Sequence, residues 1–396
     1  ASDVYKRQIF MVGFGFSIGA QVLIARRNGE GNLAGIGPIF MQGVWFLLGM
    51  AVLFFGLSRM FAPWLLGRLI ESPAIRSAAE SYLDYRTFGF FFSYVAAMFR
   101  AFYVGTTRTR ILTANSVVMV LTNVALNYLL IFGGWGIPPL GIAGAAIASV
   151  VSEAVSLVFF IVYTYRRVAW RVYDLFRLRG IERPILRQVF GIAVWIMLQE
   201  GVAFISWFIF FVAIENLGER PLAITNMVRS ISSVAFLFVN AFASTTSSLV
   251  GNLIGAGEAD RVGELCRRMV RLCFAFVVPV SLLFALFPRV VLGAYTGNEA
   301  LIAAAVPSLW VMLSTMVPCV PAFIYQFSVS GTGNTRTALG ITLLCVAAYT
   351  LYTLWLVYGL HADVALCWTS DHIYYWLCFV LAYAYMRSGR WRMLEI

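Results

Sequence analysis

A few polar or charged residues lie inside long apolar runs, where burying them is costly. They are Glu200, Glu153, Asp371, Arg229 and the pair Asn123 and Asn127. A charge in the middle of a membrane span costs about 2.5–3.5 kcal/mol on insertion scales, so such residues mark ion or substrate pathways. A carboxyl group that exchanges a proton for another cation is the chemistry that this set of residues favours.

Glu200 lies midway along the segment WIMLQEGVAFISWF, with apolar and aromatic neighbours. Burial disfavours the charged form of a carboxyl group. We therefore expect Glu200 to take up and release a proton, as an antiporter requires. The alternative is a structural glutamate that is hydrogen-bonded to a neighbouring helix.

Asn123 and Asn127 are four residues apart, so they share one face of a helix. They could present their amide groups to a cavity or hydrogen-bond to another helix. Glu153 lies among small residues (Ala148, Ser149, Ser152 and Ala154), which are typical of a close helix contact. It could supply an acid to the first half of the chain or have a purely structural role.

The remaining charges suggest partners rather than independent sites. Arg229 is expected to pair with Glu200 or Asp371 and to hold that acid ionised. Asp371 and His372 are adjacent, so they point to different faces of their helix. Asp84 and Arg86 lie near the start of a span and are predicted to reach the outer membrane surface, as long charged side chains do.

The elements that position these residues are membrane spans. Apolar residues make up 61% of the 396 residues and charged residues 12%, and the mean hydropathy is +0.84. Soluble domains are closer to half apolar and a quarter charged. The runs are continuous and reach the roughly 20 residues that a spanning helix needs, which argues against a barrel. We predict an all-α polytopic membrane protein with eleven spans, at 9–27, 37–58, 80–103, 111–132, 140–165, 186–214, 222–253, 266–288, 301–328, 338–358 and 364–386.

The arginines alternate between the loops and set the orientation. Loops on one side are rich in arginine, and those on the other carry few. The positive-inside rule then predicts a multi-pass protein of the inner membrane with a cytoplasmic C-terminus. The net charge of +11 therefore reflects the orientation of the chain in the membrane. The arginines are spread over six loops and form no single basic patch that would bind nucleic acid.

Several function classes find no support in the sequence. The six cysteines show no C-x-x-C spacing and there are two histidines, so neither a metal site nor a disulfide framework is predicted. H-E-x-x-H and G-x-S-x-G motifs are absent, and we expect no enzyme and no cofactor beyond a coupling ion, H⁺ or Na⁺. The expected partners are the lipid bilayer and a small organic substrate, and the protein is expected to be a monomer.

The chain repeats itself at a fixed offset of 226 residues. NGEGN, with Gly29 and Gly31, falls on IGAGE, with Gly255 and Gly257. GTTRTR falls on GTGNTR, so that Gly105 and Arg110 correspond to Gly331 and Arg336. The offset keeps each loop on its side of the membrane, which predicts two parallel six-helix repeats. The counterpart of span 186–214 would precede residue 1, so we expect that the first repeat lacks its first helix.

These patterns predict a domain order. Residues 1–8 are a truncation scar or non-native, 9–166 form the N-lobe, 167–184 a cytoplasmic linker, 185–388 the C-lobe and 389–396 a cytoplasmic tail. The linker is either a short amphipathic piece at the headgroup level or a solvated connection. In the first case Trp170, Tyr173, Leu175 and Phe176 would point inward.

The chain resembles the multidrug and toxic compound extrusion (MATE) transporters over residues 11–392. The resemblance is carried by GAQVLIARRNGEGN, LVGNLIGAGEADRV, GTTRTR, GTGNTR, NVALNYLLIFG with PPLGIAGAAIASVVSEA, and RSGRW. It implies two six-helix bundles in a V around a central cavity. It also implies export of amphipathic, often cationic, compounds in exchange for protons or sodium ions, with the glycine loops as hinges.

The resemblance also bears on single residues. Glu200 matches in place an acidic residue on the family's seventh span that is implicated in coupling or substrate binding. Asn127 stands where one branch has an aspartate used for protonation, and because it cannot titrate the coupling chemistry is expected to lie away from this helix. Span 301–328 lacks the acid that some sodium-linked members carry there, which favours protons over sodium. The alternatives are a flippase for lipid-linked saccharides, which the few intramembrane cations disfavour, and an inactive truncated fragment.

Overall fold

The protein is represented by a computed structural model that describes residues 2–69, 72–134, 136, 138–177 and 180–393. Residue 1 of the predicted scar, residues 178 and 179 of the predicted linker and residues 394–396 of the predicted tail lie outside the described residues. The described chain is helical, as predicted, with its helices joined by turns and short loops.

Seven helices account for most of the first half of the chain. Their bounds are α1 Ser2–Gly29, α2 Ile36–Leu69, α3 Pro73–Arg86, α4 Gly89–Gly105, α5 Arg110–Phe132, α6 Gly141–Arg167 and α7 Arg183–Glu215. The second half contains α8 Glu219–Gly255, α9 Val262–Leu286, α10 Pro288–Gly293, α11 Glu299–Ser314, α12 Met316–Gly331, α13 Thr335–Leu354, α14 Val364–Cys367 and α15 Ser370–Ser388.

Among the described residues, eight helical segments are long and apolar enough to cross a membrane. The bent pair α3 and α4, whose axes differ by 47°, makes a ninth if it counts as one span. The predicted spans 9–27 and 364–386 are also helical, in α1 and in α14 with α15. Helices thus lie at all eleven predicted positions, and the count of eleven spans stays a prediction.

The chain divides into two compact units, Ala1–Met197 (unit 1) and Leu198–Ile396 (unit 2). The division lies within α7, beyond the predicted lobe boundary at residues 184 and 185. The first half of α7 packs closely in unit 1, because a Cβ on Gly19 of α1 would be 2.5 Å from Ala193. The rings of Phe46 and Phe190 add a contact at 4.6 Å. The predicted domain limits stay predictions.

Each unit has one helix at its centre. In unit 1 this is α4, whose Tyr94, Phe102 and Tyr103 are fully buried. The Tyr103 hydroxyl lies 2.6 Å from Thr164 Oγ1 of α6, which satisfies the buried polar group. In unit 2 the central helix is α12, which packs between α8 and α15. All six cysteines are buried free thiols in unit 2.

The two glycine loops have the same local structure. Helices α1 and α8 end at Gly29 and Gly255. Gly31 and Gly257 then take φ values of +72° and +77°, which glycine adopts at little cost. A short 3₁₀ turn follows in each loop, before α2 and α9 begin. The elements thus recur at the offset of 226 residues seen in the sequence, while the hinge role of these loops stays a prediction.

The second pair of loops also correspond, and their glycines are packing residues. Gly105 ends α4 and Gly331 ends α12, each against another helix. A Cβ on Gly105 would lie 3.2 Å from the Gln21 carbonyl oxygen, and one on Gly331 would lie 2.4 Å from that of Ser247. Gln21 and Ser247 are themselves 226 residues apart. Arg110 and Arg336 lie at the starts of α5 and α13, with exposed side chains.

The described part of the predicted linker contains a segment with inward side chains, as the amphipathic alternative predicts and a solvated connection does not. Its place at the headgroup level stays a prediction. Residues 170–176 form consecutive turns, and we call residues 168–176 the strap. Tyr173 and Leu175 are 4% and 1% exposed, and the Tyr173 ring packs edge-on against Phe102 at 5.2 Å. The strap backbone lies over Gly37, which leaves no room for a Cβ. Of the four side chains predicted to point inward, Tyr173 and Leu175 are buried within unit 1, whereas Trp170 and Phe176 are only partly buried.

Candidate functional site

Glu200 lies in the part of α7 that belongs to unit 2. Its side chain is half-buried among apolar neighbours. In the described part of the chain its carboxylate has neither a hydrogen-bond partner nor an ion-pair partner. It lies close enough to Tyr374 of α15 to interact with it electrostatically. A half-buried acid without a counter-charge is available to bind a proton or a cation.

Asp371 lies on α15, three residues before Tyr374. Its carboxylate is also half-buried and has no hydrogen-bond or ion-pair partner among the described residues. It interacts electrostatically with Tyr349 of α13 and with Tyr375. The two acids therefore act on one group of tyrosines.

These tyrosines form a compact group that the sequence analysis did not identify. We call Tyr349, Tyr374 and Tyr375 the tyrosine cluster. The ring centroids of Tyr349 and Tyr374 are 6.2 Å apart, and those of Tyr374 and Tyr375 are 5.3 Å apart, with near-perpendicular planes. The chain contains 18 tyrosines, and spacing alone could not have selected one on α13 together with two on α15.

His372 points to a different neighbour from Asp371, as their adjacency predicts. Its Nε2 is 2.8 Å from Ser314 Oγ, at the end of α11. The Ser314 hydroxyl donates to the Val311 carbonyl oxygen at 2.6 Å. The serine oxygen therefore accepts from His372 Nε2, which links α15 to the break between α11 and α12.

Arg229 lies on α8 against aromatic rings. Its guanidinium carbon is 5.0 Å from the ring centroid of Trp207 and 5.2 Å from that of Phe211. Nη2 also donates to Asn226 Oδ1 at 3.4 Å. The expected ion pair with Glu200 or Asp371 is not among the described contacts of either acid. The guanidinium lies instead against aromatic faces of α7, which attract it by cation–π interaction.

In unit 1, Asn123 and Asn127 share one face of α5, as their spacing predicts. Asn127 Nδ2 donates to Asn123 Oδ1 at 2.9 Å. Asn123 Nδ2 lies 3.5 Å from Ser149 Oγ and 3.4 Å from Ser152 Oγ, both on α6. The buried Asn127 Oδ1 has no hydrogen-bond partner among the described residues. The pair links two helices and leaves one amide oxygen available for a ligand.

Glu153 of α6 is not an isolated acid. It forms a two-point ion pair with Arg86, the last residue of α3, at 2.5 Å and 2.9 Å. The expectation that Arg86 reaches the outer surface is therefore wrong, because a buried counter-charge attracts it inward. Asp84 does lie at an exposed position and pairs with Arg59 of α2.

No cluster of three or more His, Cys, Asp or Glu side chains that could hold a metal ion occurs within the described ranges. The groups available for chemistry are thus the two unpaired acids with the tyrosine cluster in unit 2, and the amide pair in unit 1.

Comparison with known proteins places the chain in a family. The sequence model of the MatE family matches residues 7–129 and 196–356. A "Probable multidrug resistance protein NorM" of Rhizobium meliloti (strain 1021) is 27% identical over 75% of this chain. The match spans 64% of that relative's length, which is less than two thirds.

Solved structures share the fold. A MOP superfamily transporter from Pyrococcus furiosus superposes with a TM-score of 0.88 at 17% identity, covering 96% of this chain and 84% of that one. The Vibrio cholerae MATE transporter VcmN gives the same score and identity, with coverage of 99% and 89%. Because the family model matches more than half of the chain, this multi-pass membrane protein belongs to the MatE family.

Proposed function

We propose that this protein is a secondary antiporter that exports amphipathic organic cations, drugs or metabolites, in exchange for a cation, with protons favoured over sodium ions. The names of the relatives, which include probable multidrug resistance proteins, support the substrate class. The observation that carries the proposal is the unpaired, half-buried carboxylate of Glu200 beside Tyr374.

Exchange arises because a proton and the cationic substrate compete for the negative charge of Glu200. A buried carboxylate is costly without a partner, so it binds either a proton or a cationic substrate. Substrate therefore leaves when Glu200 takes up a proton, and it rebinds when the proton is lost. Each cycle then couples outward movement of substrate to inward movement of a proton.

Within the tyrosine cluster, Tyr374 is partly exposed and can offer a ring face to an organic cation, whereas Tyr349 and Tyr375 are buried. Aromatic faces attract cations that carry little hydration, by about 0.5–2 kcal/mol each. Asp371, which interacts electrostatically with Tyr349 and Tyr375, adds a second negative charge. An aromatic organic cation could contact an aromatic ring and a carboxylate at the same time.

One feature favours protons over sodium as the coupling ion: residues 301–328, which form most of α11 and α12, contain no acid. Asn127 cannot titrate, so the coupling site is expected to lie away from α5. Transport would proceed by alternating access of the two lobes in the inner membrane, with a cytoplasmic C-terminus and a monomeric protein.

Efflux from proteoliposomes tests the proposal. A fluorescent organic cation is loaded, and a pH gradient or a sodium gradient is imposed. We expect the pH gradient to drive efflux and Glu200→Gln to abolish it. Glu215→Gln, at the exposed end of the same helix, is the matched control and should keep full activity. Undiminished pH-driven efflux by Glu200→Gln would refute the role of this residue, and movement of a lipid-linked saccharide without cation export would support the flippase.

A further inference from the structure

The ion pair between Arg86 and Glu153 is enclosed and two-pronged. Nη1 of Arg86 donates to Oε2 of Glu153 at 2.9 Å, and Nη2 donates to Oε1 at 2.5 Å. The two side chains are only 11% and 16% exposed. Such fork-to-fork pairs are stronger and more directional than single contacts.

A bend between α3 and α4 and a glycine at the start of α4 leave space for this ion pair. Arg86 ends α3, and α4 begins at Gly89 after a bend of 47°. A Cβ on Gly89 would lie 2.3 Å from Glu153 Oε2 and 2.4 Å from Arg86 Nη1. A larger residue at this position would require the ends of both side chains to shift. The bend and the glycine thus make the space that the two side chains fill.

Three packed helices surround the Glu153 carboxylate. Arg86 faces it from α3, and the Ser93 hydroxyl hydrogen-bonds to it from α4. From α5, Asn123 reaches the adjacent Ser152. Among these described neighbours, Arg86 is the one that carries a charge. A free cation would have to displace a tethered guanidinium that makes two hydrogen bonds.

Unit 2 offers the contrast. Glu200 and Asp371 have no cationic partner among the described residues, whereas the half-buried acid of unit 1 has one built in. We propose that Arg86 is the permanent counter-cation of Glu153 and withholds this carboxylate from proton and cation exchange. Arg86 thereby limits the number of ions exchanged per substrate. This effect on the number of ions exchanged per substrate rests on the proposed antiport.

The titration of carboxyl groups tests the proposal without requiring transport. Infrared difference spectra of the purified protein between two pH values show the carboxyl groups that gain a proton. In Arg86→Gln, Glu153 loses its counter-charge and should bind a proton, which adds one titrating carboxyl. The double variant Arg86→Gln/Glu153→Gln should lose this signal. Glu153→Gln alone should match the unaltered protein.

Arg59→Gln is the matched control, because it breaks the neighbouring exposed pair with Asp84 and should add no buried titrating carboxyl. If Arg86→Gln does not fold, the charge-swapped variant Arg86→Glu/Glu153→Arg keeps the pair and should show the spectrum of the unaltered protein. Loss of a titrating carboxyl in Glu153→Gln alone would overturn the proposal, as would an extra titrating carboxyl in the swapped variant.

The ratio of ions to substrate gives a second readout in proteoliposomes. The opposing pH gradient that stops net efflux is expected to be the same for the unaltered protein and the double variant. It should change for Arg86→Gln by the equivalent of one proton per cycle. If the unaltered protein shows no gradient-driven efflux, the proposed antiport fails, while the infrared result still decides the role of Arg86.

Discussion

Gly331 of α12 lies directly against the backbone of Ser247 of α8, where a Cβ would be 2.4 Å from the serine carbonyl oxygen. The equivalent contact in unit 1, between Gly105 and α1, is looser, because the nearest atom is Cγ2 of the Ile24 side chain at 2.7 Å. A side chain can move aside, but the backbone of a packed helix cannot. Adding a side chain at this glycine should therefore cost more stability in unit 2 than in unit 1.

Gly331→Ala should consequently destabilise the protein by about 1–3 kcal/mol, the usual cost of overpacking a core. Gly105→Ala should cost less, because the nearest backbone atom, the Gln21 carbonyl oxygen, is 3.2 Å from the added Cβ. The measurement is the apparent melting temperature of each purified variant in one detergent. Equal melting temperatures for the two variants would contradict the difference in packing.

Thr107 and Gly333 occupy equivalent places, with φ of +59° and +89°. A residue with a Cβ lowers the stability of the folded state by about 1–2 kcal/mol at such φ values. Glycine loses more conformational freedom on folding, which costs about 0.5–1 kcal/mol. Thr107→Gly should therefore raise thermal stability slightly, and Gly333→Thr should lower it. Thermal unfolding followed by tryptophan fluorescence tests both variants. A Thr107→Gly protein that melts well below the unaltered one would show that the threonine conformation is not strained.

The strap over Gly37 gives a prediction about proteolysis. A Cβ at this position would be 2.2 Å from the Asp174 carbonyl oxygen, so Gly37→Ala should lift the strap and expose Tyr173 and Leu175. Trypsin should then cleave after Arg171 or Arg177 several-fold faster. Gly263→Ala, at the equivalent place in unit 2, meets no atom within 4 Å and should leave cleavage unchanged. Equal cleavage in all three proteins would mean that the strap is not held at Gly37.

Asp371 supplies a prediction about substrate recognition. Removing its charge in Asp371→Asn should weaken binding of an organic cation roughly ten-fold, because one of two acids near the tyrosine cluster is lost, about 1.4 kcal/mol. A neutral substrate analogue of the same shape should bind as before. Binding of both compounds to purified protein by fluorescence polarisation makes the comparison. Equal loss for the cation and the neutral analogue would indicate a general disturbance of α15.

Much of the fold was predictable because membrane burial imposes simple patterns. The apolar runs located a helix at all eleven expected positions, and the glycine spacing located both pairs of equivalent loops. Side-chain partners were harder to predict. Arg86 and Glu153 are 67 residues apart in the chain, and their contact depends on a bend before Gly89 that hydropathy does not reveal. The inward side chains Tyr173 and Leu175 of the strap were predicted, but the packing of its backbone over Gly37 was not, because these turns have no helical or strand period.

The sequence by itself determined the class of protein, the positions of its helices and the candidate acids. These follow from local composition and spacing, which each segment carries independently of its neighbours. Only the tertiary structure decided which acid has a cationic partner among the described residues. An ion pair depends on the distance between residues on different helices, which the sequence does not give. Glu153 and Glu200 both appear in the sequence as single acids in apolar segments. In the structure, Glu153 pairs with Arg86, whereas Glu200 lies beside Tyr374.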